Sequence, residues 1–408
     1  MAVYVFKDAT LLDCTGIDPV YPAYVVTEGD YIKETGSGIP KAIQASAEVI
    51  DCKGMTLMPG LIDAHIHVGL FDRDLGEQPR RYYPSMQVVK ALGVLEDTLM
   101  QGFTTCREAG GADAGFREAV AQGLVKGPRL TVSGMSLTQT GGHADPRLST
   151  EIREPFDAIL GVGMVCDGIA EVRKGAREQL RRGVDHIKVM AGGGCASPAD
   201  EPDTSQYSLE ELSAIVFEAE SAGKYAFAHC YSNRSMQLCA KAGMKSIEHG
   251  NFLDEETAKI LKEAGCWYVP TLATYDIMVK RGEEFGIPPY FLRKMKQVQE
   301  HSLQAVENAK KAGVPMGSGA DVVGPGTPYK GLELELKAKA LGAMGAILSA
   351  TKMNSKLMEM ENQVGTVEEG KFADLLLVDG NPLEDIKVFQ DRDKLVMIMQ
   401  QGEIVKRA

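Results

Sequence analysis

Ala222-Gly223-Lys224-Tyr225-Ala226-Phe227-Ala228-His229 is the stretch on which the fold turns. A helical pattern stops at Ala-Gly, and an apolar run with strand composition follows at once and finishes on a histidine. Upstream, Ser208-Leu209-Glu210-Glu211 reads as a capping box opening the helix that runs toward Gly223. The same punctuation recurs at Arg182-Gly183, Ala242-Gly243, Ala264-Gly265 and Ala312-Gly313, each closing a helical stretch just before a strand-like one. Glycine there supplies the left-handed C-cap that turns the chain back into a strand. Residues 254–264 form another such helix, with Asp254, Glu255 and Glu256 in the first turn, where the helix dipole favours acids.

Working outward, strand-like runs at 61–67, 102–107, 129–133, 184–190, 225–229, 245–249, 267–272 and 314–317 alternate with helical ones. Eight such units predict an α/β fold, a (β/α)8 TIM barrel, in preference to a doubly wound sheet. Both chain ends are β instead, with short strands at 2–6, 23–27 and 47–51, then at 373–378, 395–399 and 403–406. Two longer insertions, 145–167 and 274–293, follow barrel strands on the side where active-site lids belong.

With 408 residues, 44% hydrophobic and 25% charged, the chain has the composition of a soluble globular enzyme. A net charge of −12 and dispersed Lys and Arg leave no basic patch, which argues against nucleic-acid binding. The eight cysteines show no Cys-x-x-Cys spacing and read as buried free thiols of a reducing compartment. The N-terminus lacks a basic start followed by an apolar stretch, and no run of 18 apolar residues occurs. The expectation is a cytoplasmic protein with no membrane partner.

Polar residues stand where the predicted strands end. His65 and His67, after the run 58–63, share one face of an extended chain. Two neutral imidazoles are half of a site for zinc, iron, nickel or copper rather than calcium or magnesium. Lys188 lies in 184–190, His229 ends 225–229, His249 ends 246–249 and Asp321 ends 316–321. In a parallel barrel the strand ends converge on one face, so residues this scattered can meet in one cup.

Other residues carry weaker signals. His143 follows Thr140-Gly141-Gly142, where glycines allow backbone close to a ligand. It reads as a donor to the carbonyl oxyanion or the substrate carboxylate, or as a loop-stabilising histidine. Tyr231, two residues past His229, faces the same cup and either holds a substrate carboxylate or packs. His186 also faces inward, in a supporting role, while His301 on a polar helix reads as a surface residue. Gly192-Gly193-Gly194 is a flexible loop without the Lys-Ser/Thr of a phosphate cradle.

With His65, His67, Lys188, His229, His249 and Asp321 in this order, the chain resembles the amidohydrolase superfamily over essentially its whole length. Residues 58–67, Gly141-Gly142-His143-Ala144-Asp145, Ala228-His229-Cys230-Tyr231, Ile247-Glu248-His249-Gly250-Asn251 and Ala373-Asp374-Leu375-Leu376 are similar to the imidazolonepropionase-like branch, especially its prolidase-like (Xaa-Pro and Xaa-Arg) dipeptidases. The resemblance implies a small β-sandwich domain built from both termini, 1–57 with 360–408, beside a barrel at 58–359. It also implies two divalent ions, most often Zn2+. His65, His67 and Asp321 would hold the first, His229 and His249 the second, and a carboxylated Lys188 would bridge them. A homo-oligomer is implied too. One departure is Gly319-Ala320-Asp321 where the family commonly has Gly-Thr-Asp, which removes a hydroxyl that helps to orient the aspartate.

The chemistry follows from the residue types. Lys188, flanked by Ile187 and Val189, is costly to bury as a cation, and burial lowers its pKa. A neutral amine adds carbon dioxide, and the carbamate has two oxygens suited to bridging cations. The alternative is a lysine that reaches past the strand end to solvent. Two ions about 3.5 to 4 Å apart share a water and lower its pKa from about 15.7 toward 7. Asp321 would accept the proton as metal-bound hydroxide attacks a carbonyl and return it to the leaving nitrogen, unless it merely caps the next loop. The resemblance, rather than this chemistry, implies the substrate: the expected reaction is cleavage of the amide bond of a dipeptide or N-acyl amino acid with a free carboxylate. The rivals are a cyclic amide, a carbamate or an N-acylated aromatic amino acid, and, in a different class, a non-catalytic assembly protein on the same barrel.

Overall fold

The computed structural model describes residues 1–40, 43–152 and 160–408. Parallel pairing dominates the middle of the chain. Strands Gly163–Val165, Ser136–Thr138, Ile187–Met190, Ala226–Cys230, Ser246–His249 and Trp267–Val269 lie side by side in that order, every pair parallel. Parallel neighbours need long crossovers, and helices Gly168–Arg181, Leu209–Ser221, Asn233–Ala242 and Glu255–Glu263 fill them. The strands Ile187–Met190, Ala226–Cys230 and Ser246–His249 are buried at every residue, as expected where both faces of a sheet are covered. Leu61–Ile66, Phe103–Glu108 and Arg129–Thr131 form a separate three-stranded sheet.

The helix ends behave as their sequences predict. Gly183, Gly223, Gly243, Gly265 and Gly313 all have φ between 66° and 90°, the left-handed region that a Cβ disfavours. Ser208 and Glu211 form the full capping box, and the Asp254 side chain accepts from the Thr257 N–H at 2.7 Å.

Three expectations change. The eighth strand, at 314–317, is only a parallel bridge from Met316 to Tyr268. Backbone bonds from Pro315 O and Gly317 N to Tyr268 (2.9 and 3.0 Å), and from Ala64 N to Ser318 O (2.9 Å), anchor that segment at both sides. Pro315 lacks a donor, and Gly317 and Gly319 bring no side chains to pack, so a longer ladder does not form. Seven of the eight expected strands thus lie in two separate sheets among the described residues, with the eighth reduced to that bridge. The insertion 145–167 contains the unforeseen strand Gly163–Val165, while its residues 153–159 lie outside the described residues. The insertion 274–293 is helical, falling in Leu272–Phe285 and the start of Pro289–Ala312, because Tyr275, Ile277 and Met278 find buried positions.

The terminal strands form one eight-stranded sheet in the order Glu403–Arg407, Leu395–Gln400, Leu375–Val378, Thr56–Pro59, Val3–Leu11, Val20–Glu28, Tyr31–Ser37, with Glu48–Asp51 also on Val3–Leu11. Ile32 near one end of this path shares a buried cluster with Met397 and Met399 near the other. The expected sandwich is therefore a single sheet curled around its own core. By its contacts the chain divides into two compact units, one of Met1–Asp63, Thr98–Thr105 and Lys330–Ala408, the other of Ala64–Asp97 and Cys106–Tyr329. All eight cysteines are free and buried. No helix among the described residues is long and apolar enough to cross a membrane.

Replacing Ser208 by Ala removes one half of the capping box and should lower stability by about 1 kcal/mol in denaturant unfolding. An unchanged midpoint would show that the cap contributes nothing.

Candidate metal centre

Strand Leu61–Ile66 ends with His65 inside the ladder and His67 just beyond it. The His65 Nδ1 lies 2.8 Å from Glu248 Oε2, and the His67 Nδ1 lies 2.8 Å from the Gly110 carbonyl oxygen. Both acceptors fix the ring proton on Nδ1, which leaves Nε2 as the lone-pair nitrogen of each ring. These two Nε2 atoms stand 3.6 and 3.5 Å from Asp321 Oδ1. Ligands about 2.1 Å from a tetrahedral ion are separated by about 3.4 Å, so the three side chains already have the spacing of a divalent-metal site. His65, His67 and Asp321 are the group of described residues able to hold an ion as a set.

The other three expected ligands adjoin it. His229 and His249 have ring centroids 4.5 Å apart, and His249 lies 4.9 Å from His65. His229 Nε2 is held by the Gly193 carbonyl at 3.1 Å and His249 Nδ1 by Thr271 Oγ1 at 2.8 Å, so each ring again has one nitrogen committed to support. Strand alternation would send consecutive residues to opposite faces, yet Glu248 and His249 both serve the site. His249 adopts φ of 72°, and Asp321 φ of 49°, a left-handed backbone that re-aims both side chains. Lys188 is 1% exposed, which eliminates the reading in which it reaches solvent. Burial pushes its pKa down to about 8, opposed by the nearby Glu248 and Asp321 carboxylates, and its amine lies 5.0 Å from the Phe227 ring centre. Burial likewise holds His65, His229 and His249 well below the ordinary histidine pKa, in the neutral form a metal requires.

Beneath the site lie charges that the sequence reading did not single out. Glu248 accepts from Arg107 Nη2 at 2.7 Å and from Ser246 Oγ at 2.5 Å, while Arg107 Nε donates to the Ala64 carbonyl at 2.7 Å. Arg107 and Glu248 side chains are fully buried. The signal available was a charged residue inside each otherwise buried strand, a placement tolerated only for paired groups. Glu108 accepts from the Gly110 N–H at 3.0 Å, and Gly110 in turn supports His67. Burial raises the Glu108 pKa to about 8, against the lowering effect of hydrogen bonds from Gly110, Ala112 and Ser133.

The centre floors a cavity of about 400 Å3. His143 and Tyr231 both line it. The His143 ring stacks on His229 at 4.3 Å and 18°, and its Nδ1 contacts Ser197 Oγ at 2.8 Å. Tyr231 is buried, stacks on His249 at 5.3 Å, and accepts a hydrogen bond from the Tyr275 hydroxyl at 3.3 Å. Tyr275 also contacts Thr271 Oγ1 at 3.1 Å, so a string of hydroxyls runs from the support of His249 to Tyr231. The lining also includes the apolar Leu70, Met135, Leu160, Met190, Phe291 and Met295, together with the charged Asp74, Glu77, Asp145 and Arg147. His186 stays apart, bonded to the Glu108 carbonyl and packed on Tyr225, and His301 is exposed.

The sequence matches the family described as "Amidohydrolase family" over residues 56–405. It is 32% identical over 405 residues to the ochratoxinase of Aspergillus niger, covering 95% of this chain and 84% of the fungal protein. Among solved structures, a prolidase complexed with N-methylphosphonate-L-proline superposes with a TM-score of 0.96 at 38% identity, covering all of both chains. A Xaa-Pro dipeptidase with bound methionine superposes with a TM-score of 0.90 at 28% identity, covering 99% of this chain and 100% of the other.

Two substitutions test the supports. Glu248→Gln puts an amide where either Arg107 or His65 Nδ1–H needs an acceptor, and metal affinity in chelator competition should fall about 10- to 100-fold. Unchanged affinity would remove Glu248 from the site. Glu108 has a folded pKa above its ordinary 4.5, so its contribution to stability is complete below that value and is lost as pH rises to about 8. Metal-free Glu108→Gln protein should therefore gain stability relative to the parent between pH 5 and pH 8 in denaturant unfolding. A constant difference would contradict the assignment.

Proposed function

The chain belongs to the amidohydrolase family and is a hydrolase of carbon–nitrogen bonds, and on that premise we propose that it cleaves the amide bond of a dipeptide or N-acyl amino acid bearing a free carboxylate. One observation carries the reading: six polar side chains from distant strands, His65, His67, Lys188, His229, His249 and Asp321, gather at the floor of one cavity. A chain with every one of these positions filled, and with hydrolases as relatives, is not the non-catalytic assembly protein that the sequence alone left open.

In this reading His65, His67 and Asp321 would hold one divalent ion and His229 and His249 a second, with Lys188, if carboxylated, contributing to both. Zinc is the first candidate, since imidazole and carboxylate donors at this spacing suit it. The ions when bound supply an acidified water and polarise the scissile carbonyl. The deep burial of Lys188 and its lowered pKa support carboxylation, because the neutral amine is the form that attacks carbon dioxide. Asp321 takes the proton of the attacking water on its carboxylate and returns it to the departing nitrogen as the C–N bond breaks. Tyr231 offers its hydroxyl to the substrate carboxylate, and His143, stacked on His229, stands beside the amide. The reading takes 58–359 as one closed barrel bearing this site, with 1–57 and 360–408 as an accessory domain.

The apolar side chains in the cavity lining favour a second reading within the same chemistry, an N-acylated aromatic amino acid. A panel of Xaa-Pro and Xaa-Arg dipeptides and N-acyl amino acids, run with zinc-loaded protein, separates the two by kcat/KM. Negligible turnover across the panel would sink both. Lys188→Ala should lose most of the bound metal by elemental analysis and reduce kcat by at least about 100-fold, with partial recovery on adding short-chain carboxylates that occupy the vacated bridge. Full metal content in that variant would remove Lys188 from the centre.

A further inference from the structure

Behind His143 stands a set of groups that amide cleavage, as described, leaves without a role. The His143 Nδ1 contacts Ser197 Oγ at 2.8 Å, and the Ser197 hydroxyl donates to Asp200 Oδ1. The second Asp200 oxygen accepts from Gln206 Nε2 at 2.8 Å, while Gln206 Oε1 accepts from the His143 backbone N–H at 3.1 Å. Asp200 thus holds two residues that both hold His143. Its side chain is 6% exposed. Buried Lys294, from the helix Pro289–Ala312, closes the loop from behind by donating to the carbonyls of Gly194, Ser197 and Asp200, and its amine lies 3.9 Å from Asp200 Oδ1. A Cβ on Gly194 would come within 2.0 Å of the His143 ring, so the loop backbone fits tightly against the imidazole.

Proton counting decides what this arrangement does. A hydroxyl has one proton and a carboxylate has none to give. With the Ser197 proton committed to Asp200, the Ser197 oxygen accepts from His143, and His143 must have its proton on Nδ1. A neutral imidazole in that tautomer has only a lone pair on Nε2. One ring face is covered by His229, so Nε2 at the ring edge is the nitrogen left to a bound molecule.

We propose that Asp200 is a positioning residue that, through Ser197, holds His143 as the Nδ1–H tautomer, so that Nε2 meets the substrate as a hydrogen-bond acceptor. The donor role expected from the sequence is thereby reversed for the neutral ring. What it recognises is an N–H group, as on a secondary amide or an N-terminal ammonium. The role toward substrate rests on the amide-cleaving reading; the tautomer does not.

Seven histidines make selective 15N-histidine labelling tractable. In the zinc-loaded full chain at pH 8, with His143→Asn identifying the signal, the His143 ring should be neutral with its proton on Nδ1. Asp200→Ala and Ser197→Ala should each release it into a mixture of tautomers. Asp200→Asn keeps an acceptor for the serine and should restore most of the Nδ1–H form, a rescue that a purely structural role does not produce. An Nε2–H ring or an imidazolium in the parent protein overturns the proposal. So does an unchanged signal in Ser197→Ala or in a folded Asp200→Ala. No substrate enters the readout, so absent amide turnover and an absent tautomer bias are separable failures.

Discussion

A fully buried carboxylate, that of Glu248, is the interaction on which the candidate site depends. It sits between the Arg107 guanidinium and the His65 imidazole, with Ser246 completing its acceptor set. An ion pair without solvent access is tolerable only when its hydrogen bonds are complete, and losing either partner leaves a charge stranded in a low dielectric. The pair thus demands that the strands bearing residues 65, 107 and 248 meet in one register. The same carboxylate orients His65, so the condition that makes the strand packing acceptable also aims a ring of the candidate metal site.

Around that anchor, the candidate site gathers its side chains by departing from regular strand geometry. Consecutive residues of an extended chain cannot serve one cup, and the left-handed backbone at His249 is what lets Glu248 work from below while His249 works from the side. Asp321 uses the same device after the abbreviated eighth strand. Non-glycine residues at positive φ are costly, and the cost persists where surrounding structure over-determines it. Backbone bonds such as Asp321 N–H to the His65 carbonyl, 3.0 Å, supply that constraint.

Much of this was legible in the chain. Glycines after helices, a capping box and an acid-rich first turn are local signals, and each appears in its expected place, because caps are set by residues only a few positions apart. The metal-ligand candidates were legible because histidine, lysine and aspartate at the ends of apolar runs are conspicuous. The supporting groups were not. Glu248 and Arg107 acquire meaning only through a partner more than a hundred residues away, and Lys294 sits on a helix whose many other charges face water. Strand Tyr31–Ser37 escaped notice because Ile32 alone among its residues is buried, leaving no alternation to read. The eighth strand was read as a full ladder because an apolar, glycine-containing run does not reveal how few bonds its backbone will form.

The hydroxyl string from Thr271 through Tyr275 to Tyr231 ties two tasks to one helix. Thr271 steadies His249, Tyr231 faces the cavity, and Tyr275 on Leu272–Phe285 touches both. A lineage drifting toward new substrates by remodelling this helix would therefore disturb the support of the His249 ring at the same time. Lining residues such as Leu70, Met135 and Leu160 carry no hydroxyl to join that string, and there divergence in substrate choice can proceed without that penalty.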